Sequence, residues 1–248
     1  MSTRTTGRIV GALILLAFVL YGGGTILVGS GAGVPAVLSD VGESRTQISA
    51  GALLILLNSA AVAGIGVLAL PVLKQHHEVS AYAYLITRTF EALMLAVGAL
   101  CLLVLIPLSR EYAEAGAVDA SALPALARVA QEGNQTAYQF AMIGLGLGSI
   151  LFCRVLLRAR LVPRLLAVWG MAGYAIVALG MSLDVLGYGV GLMMWIPGGL
   201  FEVVLGVLLL ARGFPALQSG DRDGAVHRAP VPPVVTIERL ERSGSGTS

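Results

Sequence analysis

Uninterrupted apolar runs of about 20 residues recur along this chain, and they constrain its fold more than any other feature. A helix rises ~1.5 Å per residue, so about 20 apolar residues cross the ~30 Å of hydrocarbon in a bilayer. Six such runs are predicted, near 9–28, 50–73, 83–108, 135–157, 165–186 and 190–211. The expected fold class is all-α: a polytopic membrane bundle of six transmembrane helices over residues 1–214, followed by a tail at 215–248. With 56% hydrophobic and 12% charged residues, and a mean hydropathy of +0.85, the chain is too apolar for a soluble core to account for it.

The net charge of +2 says little, but the placement of basic residues says more. Arg4, Arg8, Lys74, Arg154, Arg158, Arg160, Arg164 and Arg212 fall at one set of helix ends. The alternate loops hold Arg45, Arg110 and Arg128, diluted by acidic residues. The positive-inside rule therefore predicts both termini on the cytoplasmic side. The cluster from Arg154 to Arg164 is read as an anchor at anionic lipid headgroups, and no nucleic-acid partner is expected. Arg4 and Arg8 ahead of an apolar stretch resemble a cleavable signal, but the run from Ile9 to Val28 exceeds a signal core of ~7–15 residues, which favours a retained helix. Cys101 and Cys153 fall within spans near opposite membrane faces and are expected to be small apolar side chains without a disulfide.

Between the spans, "GAGVPAVLSDVGESRTQ" is predicted to be an outside loop. In "SALPALARVAQEGN", Leu123, Leu126, Val129 and Ala130 share one helical face and Gly133 offers a stop. The expectation is a short helix on the outer surface, with an irregular loop as the alternative. The tail lacks apolar content for a core and is expected to be disordered and cytoplasmic, with Ile237 and Leu240 the only hint of a partner-binding turn.

Three ionisable residues lie well inside the spans: Arg88, Glu91 and Glu202. Each costs roughly 2.5–3.5 kcal/mol at the bilayer centre, so such groups turn inward and seek partners. Arg88 and Glu91 share a helix face at i, i+3, with Tyr84 one turn before Arg88. Counted at ~1.5 Å per residue from the basic ends, Arg88 lies ~9 Å deep, Glu91 ~14 Å and Glu202 ~15 Å. Equal depth predicts that the third and sixth helices pack together there, the guanidinium fork of Arg88 bridging both carboxylates. One arginine neutralises one carboxylate. Glu202 is the expected proton-exchanging member, because Glu91 has its partner fixed on its own helix. Asn58, nearer the midplane, needs an interhelical partner. "IPGGLFE" can interrupt the sixth helix one turn before Glu202, or merely bend it. Asp184, near the outer end of the fifth helix, is expected to be solvated. Small residues at Gly144 and Gly148, Ala60 and Gly64, and Gly198 and Gly206 suit close packing within the bundle, with a homodimer as the other use of such faces.

"LLNSAAVAGIGVLALPVLK", "AYLITRTFEALMLAVG", "RARLVPRLLAVWG" and "IPGGLFEVVLGVLLLARGF" together resemble a bacterial membrane-protein family, domain of unknown function 4386, over most of Arg8 to Phe214. The family's recurring positions match Asn58, Pro71, Lys74, Arg88, Glu91, Arg160, Pro163, Arg164 and Glu202. The resemblance implies six helices in a bacterial inner membrane and transfers no catalytic residue.

Arg88, Glu91 and Glu202 are thus expected to form a buried network that fixes helix packing. The alternative is a small-molecule or proton-linked site of a transporter, channel or sensor, with Asn58 and Tyr84 in the same pocket and Arg88 holding an anionic group. An intramembrane enzyme finds little support: "HExxH", "GxSxG" and P-loop motifs are missing, and no span holds a histidine. His76 and His77 sit in a short loop without further ligands, so no metal or haem cofactor is expected. Membrane lipids are the expected surroundings. A roomy cavity around Glu91 and Glu202 would favour ligand handling, and closely packed apolar walls the structural role.

Overall fold

The computed structural model describes residues 2–29, 41–114 and 122–215, and these are almost entirely helical. In chain order the helices are α1 (Thr3–Val28), α2 (Val41–Lys74), α3 (Glu78–Glu114), α4 (Leu123–Arg158), α5 (Arg164–Val185) and α6 (Gly191–Arg212). All six are long and apolar enough to cross a membrane. The expected loop falls largely, and the tail from residue 216 wholly, outside the described residues.

Each helix packs mainly on its neighbours in the chain, and α6 returns to α1, so the six close into a ring. This corrects the expectation that the third and sixth helices pack on each other. Matching depth is a coordinate along the membrane normal and carries no information on position around the bundle, and in this ring α3 and α6 face each other across the interior. The ring closes where backbone meets backbone. A side chain at Gly11 would lie 2.5 Å from the Leu210 nitrogen and 2.6 Å from the Gly206 oxygen, and Gly7 abuts Gly213 and Phe214. The first and last helices therefore place their terminal ends side by side.

At 34, 37 and 36 residues, α2, α3 and α4 are far longer than the 22 residues of α5 or α6. At ~1.5 Å per residue the long helices exceed 50 Å, more than the ~40–45 Å of a whole bilayer. Their far ends form a three-helix extension with its own small core of Ile48, Ala52, Ile55, Ala99, Leu102, Leu105 and Ala127. Of the short surface helix expected at 121–134, the part from Leu123 onward begins the α4 arm of this extension. It continues through Gly133 into α4, and Leu126 and Val129 are exposed while Ala127 is buried. Packing on α3 overrides the weak local propensity: Gly133 faces the Cys101 sulfur, and Gly98 admits the Asn134 amide. Pro124 sits in the first turn of the helix, where its missing N–H costs nothing.

At the basic end, α4 stops in a Schellman turn. The Leu161 N–H reaches the Leu156 carbonyl at 3.0 Å, and Arg160 takes the left-handed position with φ 52°. Glycine fits this conformation better than any residue bearing a Cβ. Replacing Arg160 with glycine is expected to raise stability by about 1 kcal/mol, read as a higher melting temperature in detergent, and Arg160→Val is expected to lower it.

Candidate functional site

One turn of α3, from Thr87 to Phe90, is seated on glycines. Arg88 packs its stem on Gly66 of α2, where an added Cβ would come within 2.9 Å of the Arg88 Cβ, while Gly148 and Gly144 of α4 make room for Thr87 and Phe90. These small residues bring α3 close to both neighbours and aim Arg88 into the ring. Gly144 and Gly148 thus act within the bundle, as Gly198 and Gly206 do against Gly173 and Val177 of α5 and Leu15 of α1.

Arg88 is bound on every nitrogen. Its Nε donates to the Tyr84 hydroxyl at 2.9 Å, Nη1 to Glu91 Oε2 at 3.0 Å, and Nη2 to Glu202 Oε1 at 3.2 Å. The last bond crosses the ring from α3 to α6 through side chains alone. The Tyr174 hydroxyl on α5 donates to the same Glu202 oxygen at 2.6 Å. The side chains of Arg88 and Glu91 are each 4% exposed and that of Glu202 is 14% exposed, so Glu202 is the more accessible acid. Tyr84 lies flat on Phe152, with ring centroids 4.4 Å apart, and Tyr174 meets Phe201 edge to face.

A cavity of about 260 Å³ lies against this network, near the lower end of the ~300–1,000 Å³ range of small-molecule sites. Arg88, Glu91 and Glu202 border it, and Asn58, Val62 and Ile65 line it from α2. Asn58 is 3% exposed and its Oδ1 has no hydrogen-bond partner. Tyr21 stacks on Tyr138 at 5.1 Å, and Phe18 meets Trp195 at 5.9 Å. The cavity runs away from the α1–α6 contact towards the start of α6, where Leu192, another lining residue, is 79% exposed. It therefore reaches the molecular surface at the end opposite Thr3 and Arg212.

All five sequence candidates, Arg88, Glu91, Glu202, Asn58 and Tyr84, come together here, the first four lining the cavity and Tyr84 supporting Arg88. Tyr174 was not among them, although the same depth count would find it: it lies ten residues past Arg164, as Glu202 lies ten before Arg212. The aromatic wall gave no such signal, because isolated rings in apolar spans are ordinary core residues.

Two expectations are corrected. α6 is one continuous helix through Pro197, because a proline deletes a single backbone bond, and Gly198 and Gly199 are used for close packing against α5 and Trp195. Asp184 is not simply solvated: Oδ1 accepts from the Gly191 N–H at 3.0 Å and Oδ2 from Gln139 at 3.2 Å, so its carboxylate caps the start of α6.

With both acids ionised, the residues around the cavity sum to one negative charge, which a proton or a bound cation must balance. Among the described residues, no group of three or more His, Cys, Asp or Glu side chains gathers as a metal site would require. No curated protein and no solved structure matches the chain. The six apolar helices and the motifs that build this site agree with a match extending over residues 9–213, by which the chain belongs to the family described as Domain of unknown function (DUF4386).

Proposed function

We propose that this protein is a multi-pass protein of the bacterial plasma membrane, with both termini cytoplasmic, that binds a small molecule in the interior of its helix ring. The observation that carries this reading is the cavity of about 260 Å³ touching both carboxylates and Arg88, where a purely structural network would be enclosed by packed apolar side chains. Intramembrane ionisable groups at the edge of a cavity mark ligand or proton pathways. The placement of basic residues supports the sidedness.

A structural role for the same residues is favoured by the three bonds of Arg88, one from each nitrogen. The two roles meet at Glu202: Arg88, held by Tyr84 and Glu91 on its own helix, bonds to one Glu202 oxygen across the ring, and this more exposed acid also serves the ligand. The test is native mass spectrometry of the protein purified in nanodiscs, compared with Val62→Trp, which fills the cavity. The wild type is expected to carry a bound species beyond the nanodisc lipids, and Val62→Trp to lack it. If neither protein carries one and Val62→Trp is the more stable, the cavity is a packing void and the binding role is wrong.

A further inference from the structure

Resting on that reading, we infer that the ligand is an amphipathic organic cation, a protonated amine joined to an apolar body. The acceptors left free beside the network favour a ligand that brings donors and a positive charge. Each Arg88 nitrogen already donates to a neighbour, and its two remaining N–H groups lie beside the Glu91 and Glu202 carboxylates, which repel an anion. This reverses the expectation that Arg88 holds an anionic group. On the acceptor side, the bonds to Glu91 and Glu202 all fall on one oxygen of each, leaving the second oxygens to a ligand. The buried Asn58 Oδ1 adds a third acceptor without a partner. An ammonium group carries three donors and the positive charge that the two acids and one arginine lack.

The rest of the cavity suits the rest of such a molecule. Phe18, Tyr21, Tyr138 and Trp195 present aromatic rings, whose faces attract cations, most strongly when water is excluded. Val62 and Leu95 offer only apolar contact. No other lining residue carries a charge, so nothing in the cavity repels a cation except Arg88, which is already flanked by both acids. Glu202 lies about ten helical residues, or ~15 Å, from exposed Leu192, so a ligand entering at that end passes the aromatic wall before it meets the acids.

The chain has two tryptophans, and Trp169→Phe leaves Trp195 as the sole indole reporter. In that background, the full chain in nanodiscs is titrated with benzylammonium, benzyl alcohol and benzoate, which share one ring and differ in charge. Benzylammonium is expected to change Trp195 fluorescence saturably, with a Kd about tenfold or more below those of the other two. Glu202→Gln is expected to weaken benzylammonium about tenfold and to leave benzyl alcohol unaffected. Equal affinity for the amine and the alcohol, or tightest binding of benzoate, overturns the cationic class while the ligand site stands. No saturable response to any of the three removes both. Should Glu202→Gln not fold, Asn58→Leu, which leaves the ion pairs intact, replaces it, and unchanged benzylammonium affinity in that variant also overturns the inference.

Discussion

Arg88→Ala is expected to lower stability by about 3–5 kcal/mol, the usual cost of removing one partner from a buried ion network. The loss has a definite source. The variant leaves Glu91 and Glu202 facing each other with no cation between them, and it cuts the side-chain tie from α3 across to α6. For a chain of this size, that corresponds to a melting temperature lower by about 6–20 °C. Arg88→Lys is not expected to restore it, because a single ammonium cannot reproduce the planar fork that serves Tyr84, Glu91 and Glu202 together. Neutralising all three, as Arg88→Met with Glu91→Gln and Glu202→Gln, is expected to recover much of the loss, since no charge is then stranded. The measurement is thermal unfolding in detergent followed by size-exclusion chromatography. A single Arg88→Ala variant melting with the wild type would show that the network contributes nothing to the fold.

Gly11→Leu is the second large effect, expected to cost about 3 kcal/mol or more. The atoms that the new side chain meets are the Leu210 nitrogen and the Gly206 oxygen, both backbone, so no rotamer change relieves the clash and α1 must move away from α6. The ring would open at its seam. Gly22, higher on the same helix and facing the cavity, is the control: nothing lies within 4 Å of a side chain there, and Gly22→Ala is expected to be neutral or to gain up to about 1 kcal/mol of helix propensity. Equal melting temperatures for Gly11→Leu and Gly22→Ala would show that α1 and α6 do not touch where the structure joins them.

The sequence was informative where physics acts along the membrane normal. Apolar length located all six helices, and a depth count brought Glu91 to the level of Glu202, with Arg88 one turn away. It was uninformative where physics acts within the membrane plane. The order of helices around the ring, the face-to-face position of α3 and α6, and the cavity depend on how whole side-chain surfaces fit. Such fits leave no periodic trace. Gly7 and Gly11 have the four-residue spacing of close-packing motifs, but a span counted from Ile9 excludes Gly7. The continuity of α4 was hidden by Pro124 and Gly133, which read as punctuation until the contacts with Ala99, Cys101 and Leu102 on α3 are known. Asp184 was misjudged because its partner, the Gly191 N–H, belongs to the next helix.

The seam between α1 and α6 joins the first of the described helices to the last of them. At a synthesis rate of ~5–20 residues per second, the 114 residues between Arg88 and Glu202 take ~6–23 s to emerge. During that interval α3 can enter the lipid with its two mid-span charges balanced, because Arg88 and Glu91 cancel each other on one helix face. Glu202 arrives later and alone, with no basic residue on its own helix before Arg212. The nascent bundle must therefore hold a gap between α1 and α5 until α6 slots in, and closure of the ring waits on delivery of the third charge.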